Sequence, residues 1–369
     1  MNLLERLKTK GAKRILALDG GGIRGALTLG YLEKIEQVLR ERHGNPNLKL
    51  CEYFDLIGGT STGSIIAAGL AIGMSASEVK KMYLELGDEV FSKNSFLRRW
   101  IQSSFDAESL RAKLKEVFGE ITLGSDKIKT GLCIVAKRAD TDSTWYLLNH
   151  PEGKYYKHNE GMLLRRAIRA STAAPTYFDP EEIDVGFGQI GVFVDGGVSM
   201  ANNPALALFL IATLKGYNFN WATGEDNLLV VSIGTGVWND RNGVDAITGY
   251  NKLNWANRVP SMIMNDASWH NQLILQSISK TKTPWAIDGE IGDLSGDLLT
   301  PTPLLTYLRY NAWLDTNGLQ KLGLGEMVEN LDSLREMSNG ENAGDLAKIG
   351  EAAAERQDFD EHFPDVFKI

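Results

Sequence analysis

A short apolar stretch that leads into a glycine-flanked serine constrains the fold of this chain more than any other feature. Residues 53–58 are mostly apolar, as in a buried strand, and residues 59–63 read Gly-Thr-Ser-Thr-Gly before a helix-forming stretch. Gly59 and Gly63 allow a sharp strand-to-helix turn, because neither carries a Cβ atom that would clash. The pattern predicts that the Ser61 side chain stands exposed at the end of a strand.

A serine at such a turn is typical of enzymes that form a covalent serine ester. A Gly-x-Ser-x-Gly run also arises by chance in a chain with 38 glycines, so the motif needs its strand–turn–helix context. Because that context is present, acyl transfer with Ser61 as the nucleophile is the leading interpretation.

A second glycine-rich turn lies upstream of this serine. A short apolar strand at 14–18 leads into Asp-Gly-Gly-Gly-Ile-Arg-Gly at 19–25, and a stretch with helical apolar spacing follows. The backbone N–H groups of Gly20, Gly21 and Gly22 are therefore predicted to lie exposed at a helix N-terminus. Such a glycine loop binds a negative oxygen.

The glycine loop is compatible with two kinds of anion. Gly20, Gly22 and Gly25 have the dinucleotide-binding spacing, but that fingerprint needs a second strand ending in an acidic residue about 20 residues on. Residues 40–47 form a polar loop instead. An oxyanion hole fits better, because the Ser61 turn follows as the next strand–turn–helix unit. A nucleotide-binding regulator that uses the loop for phosphate stays an alternative.

The catalytic base is harder to assign from the residues. The chain has five histidines, and none follows an apolar strand as a triad histidine would; His270, for example, lies in a predicted helix. Asp195 ends the apolar stretch 191–194 and precedes Gly196 and Gly197, a position that suits a general base at the carboxyl edge of an open sheet. The alternative is a turn aspartate satisfied by its own loop, and the residues taken alone favour that alternative.

Ordered blocks of sequence resemble the patatin-like phospholipase family. The blocks occupy residues 19–25, 59–63, 170–178, 195–197, 202–204 and 232–236. Their order and spacing match the family from residue 14 to about residue 240. The resemblance implies an α/β fold, a patatin-like three-layer sandwich with a mostly parallel sheet, helices on both faces and a C-terminal helical region.

The resemblance also implies a Ser–Asp dyad that needs no histidine. Ser61 would be the nucleophile and Asp195 the general base, with an oxyanion hole from the backbone of residues 20–22 supported by Arg24. The implied activity is a phospholipase A type of acyl hydrolysis, which releases fatty acids from glycerophospholipids and needs no cofactor. No His, Cys and Asp cluster with metal-ligand spacing is evident in the sequence. A catalytically silent scaffold with the same fold is a further alternative.

The chain length and the C-terminal helical region resemble a narrower group, the bacterial patatin-like effectors of antiphage defence, which a cyclic dinucleotide activates. No motif in this sequence by itself recognises such a nucleotide. The resemblance implies a membrane phospholipid substrate, a cyclic dinucleotide as candidate activator and a homodimer as candidate assembly. It implies no nucleic acid polymer as a partner.

The acidic excess of the chain is concentrated in its last part. Residues 326–369 hold 12 acidic and 4 basic side chains, whereas the remaining residues hold 35 of each. We therefore expect a catalytic domain at 1–325, with its core motifs at 14–240, and an acidic helical appendage at 326–369 in solvent. A regulatory tail that blocks or senses the membrane is the alternative.

Two cysteines and a charged opening segment without a signal h-region predict a cytoplasmic protein. The balanced charge of residues 1–325 is compatible with peripheral association at the inner membrane surface. Residues 91–105 combine aromatic rings with Arg98 and Arg99. Such a segment suits either a lid that docks on a lipid surface or an amphipathic helix that packs in the core.

Overall fold

The computed structural model describes residues 2–90, 105–186, 188–238, 247–287 and 290–369. Residues 91–104, most of the aromatic and basic segment predicted as a lid or a core helix, lie outside the described residues. The strands are β1 (Lys13–Leu18), β2 (Leu56–Thr60), β3 (Gly131–Arg138), β4 (Ser143–Leu148), β5 (Glu181–Asp184), β6 (Ile190–Asp195), β7 (Leu228–Ile233), β8 (Ser279–Thr281) and β9 (Leu305–Tyr310).

The α-helices begin with α1 (Leu3–Lys8), α2 (Gly25–His43), α3 (Leu50–Tyr53), α4 (Thr62–Ala71), α5 (Ala76–Val90), α6 (Phe105–Phe118) and α7 (Tyr156–Asn159). They continue with α8 (Leu164–Ser171), α9 (Ala205–Thr213), α10 (Lys252–Ser277), α11 (Thr316–Leu322), α12 (Leu331–Arg335), α13 (Ala343–Ala354) and α14 (Phe359–His362). Helices and strands alternate through most of the chain, the pattern that builds parallel sheets.

The strands form one sheet in the order β5-β6-β3-β2-β1-β7-β9-β8, with β4 also paired to β3. Strands β3, β2, β1, β7, β9 and β8 run parallel to one another. Strands β4 and β6 are antiparallel to β3. The prediction of a mostly parallel α/β sheet is confirmed.

Helices cover both faces of this sheet, as alternate residues of one strand show. Leu16 and Leu18 of β1 belong to one apolar cluster, which includes residues of α2, α4 and α5. Ile15 and Ala17 belong to a second cluster, which includes residues of α9. Because successive side chains of a strand point to opposite faces, the two clusters are separate layers of core. The predicted three-layer arrangement is therefore present.

Strand β2 begins later and ends later than the sequence predicts. The predicted strand covers 53–58, whereas the structure ends α3 at the first of these residues and continues β2 to Thr60. Asp55 accepts hydrogen bonds from the backbone N–H and the Nε of Arg14, both at 3.0 Å, which fixes where pairing starts. Position 59 of this strand accepts only glycine, because the first turn of α4 lies where a Cβ atom would be.

The sheet extends further at its C-terminal end than expected. The family resemblance implies a helical C-terminal region, but β9 lies fully buried between β7 and β8. The charged residue Arg309 makes this stretch look unlike a buried strand. A buried guanidinium group needs a partner, and only the folded chain supplies one.

The acidic C-terminal segment packs onto the core. Helix α13 lies along α2, with Gly350 against the backbone of Leu27. Three phenylalanine side chains beyond α13 are also buried: Phe359, Phe363 and Phe367. The expected solvated appendage is therefore not what the structure shows, because an apolar side of the segment faces the core. The domain boundary after residue 325 stays a prediction.

Candidate active site

Ser61 occupies the turn between β2 and α4. Its φ of 54° and ψ of −126° are values that residues with a side chain rarely adopt. The turn is compact, since the carbonyl group of Gly63 lies where a Cβ atom on Gly59 would be. The Ser61 N–H donates to Ser171 Oγ at 2.9 Å, and that hydroxyl donates to the Val135 carbonyl at 2.6 Å. The strained turn is thus held from β3 through Ser171, a residue whose role no sequence pattern indicates.

Asp195 reaches the serine because two strands meet end to end. Strand β2 pairs with β3 as far as Thr60 opposite Val135, and β6 then pairs with β3 from Ala136 opposite Asp195. Strand β4 occupies the other edge of β3 along these residues, so β2 and β6 share one edge. Since β6 runs antiparallel to β3, the carboxyl ends of β2 and β6 meet. This junction inside the sheet replaces the simple carboxyl edge that the sequence suggested.

Ser61 and Asp195 form a buried hydrogen-bonded pair. Ser61 Oγ donates to Asp195 Oδ2 at 2.6 Å, and the Gly197 N–H donates to Oδ1 at 2.7 Å. Only 9% of Ser61 and 5% of Asp195 are exposed. Burial raises the pKa of Asp195 to about 6, while the hydrogen bonds from Ser61 and Gly197 oppose the rise. Above that pH the carboxylate can accept the serine proton.

The glycine loop lies directly beside this pair. A Cβ atom on Gly20 would come within 3.2 Å of the Ser61 Cβ. The N–H of Gly20, which the sequence analysis counted among the oxyanion donors, donates to the Asn202 carbonyl at 3.0 Å. Among the described residues, no group accepts a hydrogen bond from the N–H of Gly21 or of Gly22. These two donors are the ones the loop offers to a negative oxygen.

Neighbouring side chains and backbone hold the loop in shape. Gly22 has a φ of 59°, and the Met337 carbonyl lies where its Cβ would be, so only glycine fits there. The Tyr83 hydroxyl donates to the Gly22 carbonyl at 2.6 Å, and Arg24 Nε donates to the Gly21 carbonyl at 3.3 Å. Burial lowers the pKa of Arg24 to about 10, which leaves its guanidinium group charged at neutral pH.

Asp19 anchors the start of the loop to the neighbouring strands. Arg309 donates to both carboxylate oxygens of Asp19, at 3.0 Å and 2.6 Å, and to Ser232 Oγ at 2.7 Å. Asp19 and Arg309 are buried, and the two-pronged contact fixes their relative orientation. The sequence did not indicate a role for Arg309, because this residue lies 290 residues from Asp19 in the chain and no local pattern connects the two.

Histidines are not part of this arrangement in the described structure. The ring of His43 contacts the Leu39 carbonyl, and the ring of His150 packs on Phe219. Over the same described residues, no three His, Cys, Asp or Glu side chains form a group that could hold a metal ion. No helix in the described part of the chain combines the length and the apolar character needed to cross a bilayer.

Comparison with known proteins points to one family. A family model described as patatin-like phospholipase matches residues 16–209, which is 194 of the 369 residues. The matched range contains the glycine loop, the Ser61 turn and Asp195. The geometry and the family match therefore concern the same part of the chain.

Two bacterial relatives carry names that describe their activity. A cGAMP-activated phospholipase of Escherichia coli strain TW11681 is 29% identical over 226 residues, covering 60% of this chain and 62% of that protein. A cUMP-AMP-activated phospholipase of Escherichia coli is 32% identical over 230 residues, covering 61% and 65%. The chain thus spans less than two thirds of the length of these relatives.

Among solved structures, VipD from Legionella pneumophila overlaps 89% of this chain and 68% of its own. The TM-score is 0.36 and the sequence identity is 14%. That likeness is too loose to support an inference about this chain.

Proposed function

Because this chain belongs to the patatin-like phospholipase family, we propose that it releases fatty acids from glycerophospholipids with Ser61 as the nucleophile and Asp195 as the general base. The observation that carries the proposal is the 2.6 Å hydrogen bond between Ser61 Oγ and Asp195 Oδ2, beside the N–H groups of Gly21 and Gly22. A hydroxyl, an acceptor and two backbone donors are the parts that acyl transfer requires.

The reaction proceeds in two halves. Asp195 takes the proton of Ser61 as Oγ attacks the ester carbonyl, and the N–H groups of Gly21 and Gly22 hold the oxyanion. Collapse of the tetrahedral intermediate breaks the ester bond, and the lysolipid alcohol leaves with the proton from Asp195. Water then gives a proton to Asp195 and attacks the acyl-serine. The second collapse frees the fatty acid and returns the proton to Ser61.

Substitution of the two reacting groups tests this mechanism. We expect Ser61→Ala and Asp195→Asn each to lower fatty-acid release from phospholipid vesicles by at least about a thousandfold, because neither half-reaction proceeds without both groups. The matched controls are Ser77→Ala and Asp184→Asn, whose side chains are exposed. Undiminished release by the Ser61→Ala protein, with its fold intact by circular dichroism, would contradict the proposal.

Activation by a cyclic dinucleotide is the second part of the proposal. Its support is the names of the relatives, which specify cGAMP or cUMP-AMP as the activator of those proteins. We expect one of these nucleotides to raise the rate of fatty-acid release by the complete protein. Equal rates with cGAMP, with cUMP-AMP and without nucleotide would contradict this part and leave the hydrolase proposal standing.

Association with the membrane surface and with a second copy of the chain completes the proposal. Cosedimentation with vesicles of phosphatidylglycerol and phosphatidylethanolamine tests the first, and light scattering of the protein in solution tests the second. Absence of the protein from the vesicle pellet would contradict peripheral binding, and a monomeric mass at all concentrations would contradict the dimer.

Two other functions are separated from hydrolysis by simple measurements. A catalytically silent scaffold would leave Ser61 unlabelled by a fluorophosphonate probe, which reacts with activated serines. A nucleotide-binding regulator that uses the glycine loop would bind a nucleoside triphosphate or NAD and lose it on Gly22→Val. Labelling of Ser61 without such binding supports the hydrolase.

A further inference from the structure

A cavity of about 540 Å³ lies against the glycine loop. The loop contributes Asp19, Gly20 and Arg24 to its wall, helix α10 forms another wall, and the segment 335–337 closes a third side. This volume is within the range of ligand sites in proteins. One wall residue of the cavity, Gly20, lies next to Ser61, so the cavity adjoins the catalytic pair.

Two arginines of this cavity are fixed in place around one indole ring. The guanidinium carbons of Arg24 and Arg335 lie 4.8 Å and 5.5 Å from the ring centre of Trp238. Each arginine also donates its Nε to a backbone carbonyl, that of Gly21 at 3.3 Å and that of Leu314 at 2.9 Å. Backbone and ring contacts therefore orient both guanidinium groups before any ligand binds.

The terminal nitrogens of these two arginines remain available. Within the described part of the chain, nothing accepts a hydrogen bond from either Nη atom of Arg24. Among the residues that the structure describes, the Arg335 Nη1 atom has only a 3.7 Å contact with the fully exposed carboxylate of Asp332, and such exposed pairs contribute little. Paired N–H donors in a fixed fork match the oxygens of a phosphate group.

The charge balance of the cavity suits an anion with one negative charge per phosphate. Asp19 is neutralised by Arg309. Among the described residues, the remaining charged side chains of the wall are three arginines and two acids: Arg24, Arg258, Arg335, Asp266 and Glu336. The excess of one positive charge fits a phosphodiester better than a phosphomonoester, which carries nearly two charges at neutral pH.

Apolar groups complete the wall. Trp269 and Trp285 line the cavity and contact each other, with ring centres 6.5 Å apart. Met262, a residue of α10, also lines the cavity. Indole rings and a flexible thioether accommodate either a hydrocarbon or a flat heterocycle. The ligand is therefore expected to carry an apolar or aromatic group beside its phosphate.

We propose that this cavity binds a phosphodiester, held by the terminal nitrogens of Arg24 and Arg335, with the adjoining apolar part of the ligand against Trp269 and Trp285. The inference rests on the proposed function, in which the ester of a phospholipid lies at Ser61 and its headgroup phosphate a short distance away. The phosphodiester of a cyclic dinucleotide has the same chemistry. The experiment has one arm for each source.

The lipid arm measures hydrolysis of phosphatidylglycerol and of diacylglycerol, which lacks the phosphate, in mixed micelles. We expect Arg335→Gln to lower the ratio of kcat/KM for phosphatidylglycerol to that for diacylglycerol at least about tenfold, because a charge-assisted contact is lost. Arg165→Gln, which removes an arginine paired with Glu120 outside the cavity, should keep the parent ratio.

The nucleotide arm measures binding to the Ser61→Ala protein, so it does not depend on catalysis. Tryptophan fluorescence is recorded while cGAMP or glycerophosphoglycerol is added, since three indoles line the cavity. We expect quenching by at least one probe and a Kd at least about tenfold weaker in the Arg335→Gln variant. The Arg165→Gln variant should bind like its parent.

The outcomes assign the ligand or overturn the inference. A changed lipid ratio with glycerophosphoglycerol binding identifies the headgroup, and cGAMP binding alone identifies the nucleotide. An unchanged ratio in the Arg335→Gln variant together with no quenching by either probe overturns the proposed site, even where phosphatidylglycerol is hydrolysed. Absence of hydrolysis contradicts the proposed function instead, and the binding arm still tests the site. Melting temperatures show whether each variant is folded.

Discussion

At the scale of single residues, the most unusual group is the carboxyl group of Asp195, which is ionisable and yet buried. Its carboxyl group accepts hydrogen bonds from Ser61 Oγ and the Gly197 N–H, yet burial still raises its pKa to about 6. The serine beside it adopts a backbone conformation that is rare for residues with a side chain. Both features weaken the fold locally, as is common where a site is organised for chemistry.

The pH dependence expected of the proposed hydrolysis follows from this pKa. Asp195 must be ionised to accept the Ser61 proton, so we expect kcat/KM for a soluble ester to fall about tenfold per pH unit below a pH of about 6. A pH–rate profile between pH 4.5 and 8, with the fold followed by circular dichroism, measures this. A rate that stays level down to pH 4.5 would exclude Asp195 as the base.

Removing the charge at this position should stabilise the protein while stopping catalysis. The pKa of Asp195 rises from 3.8 to about 6 on folding, so its contribution to stability is present below pH 3.8 and is lost as the pH rises through 6. The shift corresponds to about 3 kcal/mol. We expect Asp195→Asn to raise the free energy of unfolding by up to that amount at pH 8 and by little near pH 4.

Urea unfolding at the two pH values measures the effect of this substitution. Asn at this position can still accept from the Gly197 N–H and donate to Ser61 Oγ. The exposed Asp184→Asn variant serves as the control and should show no gain at pH 8. A less stable Asp195→Asn protein at pH 8 would show that the buried charge does not weaken the fold.

At the scale of elements, the glycine-rich turns could be predicted from the sequence, because each is a local strand–turn–helix unit. Their shape depends on distant contacts. The loop after β1 is held by the carbonyl of Met337, which also accepts the Ile23 N–H at 2.9 Å, and its first residue is held by Arg309 of β9. Neither partner is near the loop in the chain, so no local pattern could show them.

Breaking the anchor of the loop tests its contribution. We expect Asp19→Asn to lower the free energy of unfolding by about 3–5 kcal/mol, because the buried guanidinium of Arg309 then lacks a counter-charge. Replacing both residues, Asp19→Asn with Arg309→Met, should restore part of the loss. Chemical denaturation of the single and double variants gives the coupling between them, and additive losses would contradict the pairing.

At the scale of the whole molecule, the C-terminal segment contacts both the core and the glycine loop of the candidate site. Helix α13 packs on α2, the helix that follows the glycine loop, and Met337 before it contacts Gly22 directly. The acidic composition of residues 326–369 predicted a solvated appendage. That prediction failed because composition does not show how a helix distributes its apolar residues. The segment instead presents an apolar side to the fold and its acids to solvent.

Substitutions on the two sides of α13 test this packing. Leu346 is fully buried, so we expect Leu346→Ala to lower the free energy of unfolding by about 2–5 kcal/mol. Lys348 lies on the exposed side of the same helix, and Lys348→Ala should change the free energy of unfolding by less than about 0.5 kcal/mol. Equal, small effects in thermal or chemical unfolding would mean that the segment is a separate appendage after all.

The sequence by itself determined the fold class, the family and the turn that carries Ser61, because these depend on short runs of residues and on their order. The residues around Asp195 by themselves favour an ordinary turn aspartate, and only the family resemblance implies a catalytic role for it. The tertiary structure decided its position, because β2 and β6 share one edge of β3 and meet end to end. Burial at that junction, which no local pattern records, then sets its pKa.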